Sequence, residues 1–224
     1  MLTICENLTS MRYRAQNSSG IFPIDDIQPM RFPTHNTLTK LDLDVPDFPT
    51  GADLDIIKSC PVLRWFSVKT LWDEDIFQVV QQYCPDMNII ITSPWHIWHD
   101  LHKWEHPDEK FWNSSKGLKW LTADYVGSGS SILPLIEENH TTLRRLALDL
   151  DNDLMTPTNW QRLSSVPFCN LTHHCISRIT DEFVYHCLET ILKTQTPVLQ
   201  SLQVGNVMYD VLPDGVIQAR AVFP

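Results

Sequence analysis

The chain has 224 residues, 43% of them hydrophobic, which supplies enough apolar surface for a proper core and excludes a disordered tail. A formal charge of −10 excludes a phosphate backbone or an anionic membrane as a natural partner, because either would repel the molecule as a whole. No apolar run approaches the ~18 residues of a membrane span, and "MLTICENLTSMRYR" lacks the basic start and apolar centre of a signal peptide, so the sequence reads as intracellular, cytoplasmic or nuclear.

Taken in chain order, the elements repeat. A six-residue unit with apolar residues at positions one, four and six opens in "LTSMRY" at Leu8 and returns in "LTKLDL" at Leu38. The amphipathic stretch "LDIIKSC" follows, and "CPVL" leads into "LRWFSV" at Leu63. In "DEDIFQVVQQYC", Ile76, Val79, Val80 and Tyr83 recur at the spacing of one helical face, with Asp73 as the cap. The next strand unit is "MNIIIT" at Met87.

A helix is expected over "WHIWHDLHKWEH", residues 95–106, started by Pro94, with Ile97, Leu101 and Trp104 on one face and the histidines segregated from it. "LKWLTA" at Leu118 is followed by the link "VGSGSS", with Ser131 as a cap, and by the amphipathic "SILPLIEENH". "LRRLAL" at Leu143 and "LTHHCI" at Leu171 come next, the latter with His174 where an apolar residue belongs. The helical "DEFVYHCLETILKTQ" leads through "TPVL" into "LQSLQV" at Leu199, and the tail "VLPDGVIQARAVFP" either adds an edge strand or frays.

The starts fall 24 to 31 residues apart, and short strand, turn, helix and proline form a coil of βα units, each too small to bury its apolar face alone. In this pattern "SCPVLRWFSV", "YCPDMNIII" and "RITDEFVYHCLETI" resemble the cysteine-containing class of leucine-rich repeats, best known from F-box substrate adaptors of ubiquitin ligases. The resemblance implies one α/β leucine-rich-repeat solenoid over 1–224, with a parallel strand layer on the concave side and helices on the convex side. It also implies a protein-interaction module without catalysis or cofactor, which recognises a ligase substrate. In that family an F-box docks a Skp-type adaptor; none stands before Leu8, where the chain begins inside a repeat, so a longer protein with an upstream segment is expected.

Six cysteines, at 5, 60, 84, 169, 175 and 187, include no C-x-x-C pair and read as reduced thiols. Cys60 and Cys84 precede proline at equivalent places and should be buried. Sequons at Asn7, Asn17, Asn113, Asn139 and Asn170 keep a secreted or surface recognition protein as the alternative.

Candidate chemistry is sparse. His99, His102 and His106 have a spacing that permits one zinc or copper ion, but without the H-E-x-x-H pattern a solvated face is the preferred reading. "DLDND" at Asp149 has Leu154 and Trp160 where a calcium loop needs glycine and an acid, and "VGSGSS" lacks the lysine of a phosphate loop. In "HHC", His173 and Cys175 share one strand face while His174 takes the other, so no nucleophile–base pair forms between neighbours.

Along each strand, positions three and five should face outward in rows. Trp65, Ile89, Ile91 and Trp120 then form an apolar patch rimmed by Lys40, Asp124 and Arg145, the composition of a protein-binding hot spot on the concave face. A fold-over of the long interval between Met87 and Leu118 would instead make these residues core.

Overall fold

The computed structural model describes residues 7–14, 33–44, 52–68, 76–92, 116–123, 132–149, 157–177, 198–205, 207–212 and 217–222. The chain divides into two compact units, Met1–Lys116 and Gly117–Pro224.

The first unit carries β1 (Ser10–Arg14), β2 (Lys40–Asp44), α1 (Ala52–Ser59), β3 (Trp65–Val68), α2 (Ile76–Tyr83) and β4 (Ile89–Thr92). All its strands are parallel, and the register pairs Ser10 with Lys40, Lys40 with Trp65 and Trp65 with Ile89. These are the third positions of successive six-residue units. A slip by one residue would move every apolar side chain to the other face, so the period of the sequence sets this register.

Each step is pinned at its start by two N–H groups on one carbonyl. Thr39 and Lys40 both donate to the Thr9 carbonyl (2.9 and 3.2 Å), Arg64 and Trp65 to that of Thr39 (2.8 and 3.0 Å), and Asn88 and Ile89 to that of Arg64 (2.9 and 3.0 Å). Leu38, Leu41 and Leu43, then Leu63, Phe66 and Val68, then Met87 and Ile90 form the buried core beneath. The helices pack on one another, and α2 buries Ile76, Phe77, Val79 and Val80. Tyr83, expected on the same stripe, is exposed, because the helix ends there and the chain turns at Cys84.

The two Cys-Pro junctions fold alike. Leu63 N donates to the Cys60 carbonyl and Met87 N to the Cys84 carbonyl, both at 3.0 Å, which closes the turn from helix to strand. The Cys84 thiol donates back to the carbonyls of Cys60 (3.4 Å) and Ile57 (3.6 Å), so the sulfur ties one repeat to the one before. Both cysteines are buried and free. Burial pushes the Cys60 thiol up to about 11; burial and then Cys60 push Cys84 up to about 12. Since only the thiolate attacks, a maleimide should leave both untouched in the native chain while it modifies exposed Cys169, as site-resolved mass spectrometry would show. Modification of Cys60 at the rate of Cys169 would contradict this burial.

The second unit carries β5 (Trp120–Ala123), α3 (Ile132–Asn139), β6 (Arg145–Asp149), α4 (Pro157–Ser165), β7 (His173–Ser177), β8 (Ser201–Val204), β9 (Val207–Val211) and β10 (Ile217–Val222). From β5 to β8 the strands are parallel, with Trp120, Arg145, His173 and Ser201 in one row, again the third positions. Leu118, Leu121, Leu143, Leu146, Leu148, Leu171, Ile176, Leu199, Leu202 and Val204 are buried in the apolar positions, and His174 is buried in its fourth position among them. The antiparallel β8–β9–β10 run was not anticipated beyond one edge strand for the tail. Helix α4 was not anticipated either, although Pro157 at its first position is a helix-start signal.

Asn139 closes α3. Its Nδ2 donates to the Leu135 carbonyl and its Oδ1 accepts from Leu118 N, both at 2.9 Å. Gly117, at φ +99, lies where a Cβ would come within 2.8 Å of Thr142 Oγ1, so no other residue fits beside that hydroxyl, which itself donates to the Leu118 carbonyl at 2.8 Å. Asn139→Ala should lower unfolding free energy by about 2 kcal/mol, since it leaves a half-buried N–H and a carbonyl without these partners. Urea unfolding would measure it; a change within error would mean water replaces the amide.

The helices expected over 95–106 and in "DEFVYHCLETILKTQ", and the caps Asp73 and Ser131, lie outside the described residues.

Candidate functional site

Among the described residues of each unit, the parallel strands present their third and fifth residues on the face opposite the core, where the register sets them in rows. In the first unit it begins polar. Arg12 donates to Asp42 at 2.6 Å across β1 and β2, and the Lys40 ammonium sits over the Trp65 ring at 3.4 Å across β2 and β3. Lys40, Asp42 and Trp65 are half-buried and Arg12 is exposed. A cation held on an indole face is restrained in place.

The next residues of the row differ from expectation. Ile89 is 0% and Ile91 1% exposed, and in the second unit Trp120 is 3% exposed, so these three are buried instead of forming an exposed patch. The fifth-position residues Ser67, Thr122, Ala147, Cys175 and Gln203 are buried as well. Strands that are buried on both faces read as continuous apolar runs, and Ile89–Ile90–Ile91 is such a run. That run is the signal in the sequence that an outward-facing reading of Ile89 and Ile91 passes over. Asp124 lies outside the described residues.

In the second unit the row keeps a polar segment. The Arg145 guanidinium lies 4.9 Å from the Trp120 ring centroid, and Trp120 Nε1 donates to Thr122 Oγ1 at 3.0 Å. His173 follows Arg145 on the next strand and has Thr172 Oγ1 at 2.9 Å from its Nδ1. Burial, and then the Arg145 cation, pull His173 from its ordinary value down to about 4, so the ring is neutral at pH 7. Cation and tryptophan are thus neighbours on the strand face of each unit, Lys40 with Trp65 and Arg145 with Trp120.

The helix side holds a different kind of contact. Arg162 of α4 clasps Glu137 of α3 through two bonds of 3.0 and 2.9 Å at the surface, and the Glu137 carboxylate raises the arginine further. Such a pair orients two helices and offers no reactive group.

Among the described residues no group of three or more histidines, cysteines or acids is placed to hold a metal ion. His99, His102 and His106 lie outside them, as does most of the acidic stretch after Asp149. His173 and Cys175 share a strand face and His174 is turned into the core, as the period of two requires. Two of the five sequons are spent on structure: the Asn139 amide nitrogen serves Leu135, and that of Asn170 donates to the Thr141 carbonyl at 2.6 Å. A glycan would replace one of the two hydrogens on either nitrogen and would have to fit beside these bonds.

No protein-family model matches the sequence, and neither a curated protein nor a solved structure matches the chain. Among the described residues no helix is long and apolar enough to cross a membrane.

Proposed function

We propose that the chain is a leucine-rich-repeat solenoid that works as a protein-interaction module, the substrate-recognition part of an F-box-type ubiquitin ligase adaptor. The observation that carries this reading is the alignment of equivalent repeat positions on a strand layer in each unit, with a cation–tryptophan pair in each row. Repeats stacked this way hold side chains at fixed spacing, which suits recognition of a protein surface better than chemistry on a small substrate. Trp65 with Lys40 is the anchor of choice, because aromatic residues and the cations that border them carry much of the energy of protein interfaces. No cofactor enters this reading, and a Skp-type adaptor enters it only if an upstream F-box exists.

A photo-crosslinker placed at Asp42 should capture a protein that the same group at Arg162, on the helix side, does not. With that protein purified, Trp65→Ala should cost about 2 kcal/mol of affinity, roughly thirtyfold, with a far smaller change in unfolding free energy. Equal capture at both positions, or unchanged affinity, would overturn the assignment of this face.

A further inference from the structure

The third-position row of the second unit carries a charge pattern that the repeat by itself does not produce. No parallel strand of either unit has an acid at its third position, and from β5 to β8 the row runs from Trp120 through Arg145 and His173 to Ser201. The chain then turns back, and the antiparallel β9 sets Asp210 against Ser201 as the next member of the row. A cation and a carboxylate thus stand on either side of His173 and Ser201. Since His173 is neutral at pH 7, no charge lies between them in the row.

This row is the accessible strip of its face. Arg145, His173, Ser201 and Asp210 each keep partial exposure with the whole chain in place, whereas Ala147, Cys175 and Gln203 beside them are buried. The charged groups are also held in position. The Arg145 guanidinium lies 4.9 Å from the Trp120 ring centroid, a contact that restrains a cation. At the other end the backbone is fixed: Val211 N donates to the Gln200 carbonyl at 3.0 Å, and Gln200 and Ser201 donate to that of Thr172 at 2.8 and 3.1 Å. Arg145 and Asp210 have further contacts within the chain, but a guanidinium has several N–H donors and a carboxylate several acceptor sites, so each has room for a ligand group beside them.

We propose that this row binds an extended segment of another protein laid across the strands, with an acidic side chain on Arg145 and a basic one on Asp210, about four residues apart in the segment. Geometry sets that spacing. Neighbouring strands lie about 4.8 Å apart, and Arg145 and Asp210 are separated by three such steps, roughly 14 Å. An extended chain rises about 3.4 Å per residue and presents alternate residues on one face, so residues i and i+4 span the same distance on the side that meets the row. Residue i+2 then lies over His173 and Ser201. The span is too long for a free amino acid, which is why a peptide is the occupant. Fixed charges of opposite sign attract the matching pair and repel segments with like charges at these places. The surface belongs to the second unit alone and does not rest on the Trp65 anchor.

The test selects short random peptides displayed on phage against the full 224-residue chain. The enriched sequences should carry an acid and a base four residues apart. Selection on Asp210→Lys should replace the base by a second acid, and selection on Arg145→Glu should replace the acid by a second base; if one variant does not fold, the other decides. A synthetic copy of an enriched peptide should lose about tenfold in affinity on Asp210→Lys and nothing on Trp65→Ala. No enrichment, enriched sequences without the charge pair, the same pair selected on both charge variants, or binding lost on Trp65→Ala but kept on Asp210→Lys would each overturn the proposal. So would self-association of the chain that Asp210→Lys abolishes, because it would give the row to a second copy.

Discussion

Phe66→Ala should destabilise the protein by about 4 kcal/mol, the largest loss expected from any single truncation in the first unit. Phe66 is the fourth residue of its repeat and lies fully buried in β3, paired in register with Leu41 on one side and Ile90 on the other. Removal of the ring forfeits its transfer free energy and leaves a cavity between strands whose register prevents collapse, which places the cost at about 3–5 kcal/mol. Native stability is on the order of 5–15 kcal/mol, so much of it disappears. Urea unfolding at equilibrium would measure the difference, and a loss under about 1 kcal/mol would show that the neighbouring strands close the gap.

The second large effect is a loss of stability in acid centred on His173. Its folded value is held down to about 4 against an ordinary 6.5, so the unfolded chain takes up the proton first as the pH falls. The stability that rests on a neutral ring is therefore complete above about pH 6.5 and is lost between there and about pH 4, by roughly 3 kcal/mol in all. His173→Gln keeps a polar side chain in the row and removes the titration. The variant should thus show a flatter acid limb than the parent between pH 6.5 and 4, with the two curves compared by denaturant unfolding at each pH. Parallel curves would mean that His173 is solvated in the native state.

The repeat was legible because it depends on a short period. Leu38, Leu41 and Leu43 recur as Leu63, Phe66 and Val68 and again as Leu143, Leu146 and Leu148, and the parallel register within each unit follows this phase residue by residue. The Cys-Pro junctions were equally readable, since proline ends a helix locally and the small thiol fills the tight turn behind it. The antiparallel ending was harder. Its local signal is the Gly205–Asn206 pair, with Gly205 at φ +55 in the two-residue connection of β8 to β9, but the phase of the repeat drew the reading onward instead of back.

What the sequence determined by itself is the inward half of the parallel repeats: which of their residues form strands, which of these meet in register within each unit, and that His174 takes a core position despite its chemistry. These follow from the alternation of side chains along a strand, a property of the local backbone. Only the tertiary structure decided the outward half. Period two assigns Ile89, Ile91 and Trp120 to the face away from the helices, but whether that face meets water depends on what lies over it and on neighbours from distant parts of the chain, and all three are buried. The same holds for His173, whose neutrality comes from burial and from Arg145, 28 residues earlier in sequence and adjacent only because β6 and β7 pair. Direction is local, whereas exposure and charge belong to the assembled sheet.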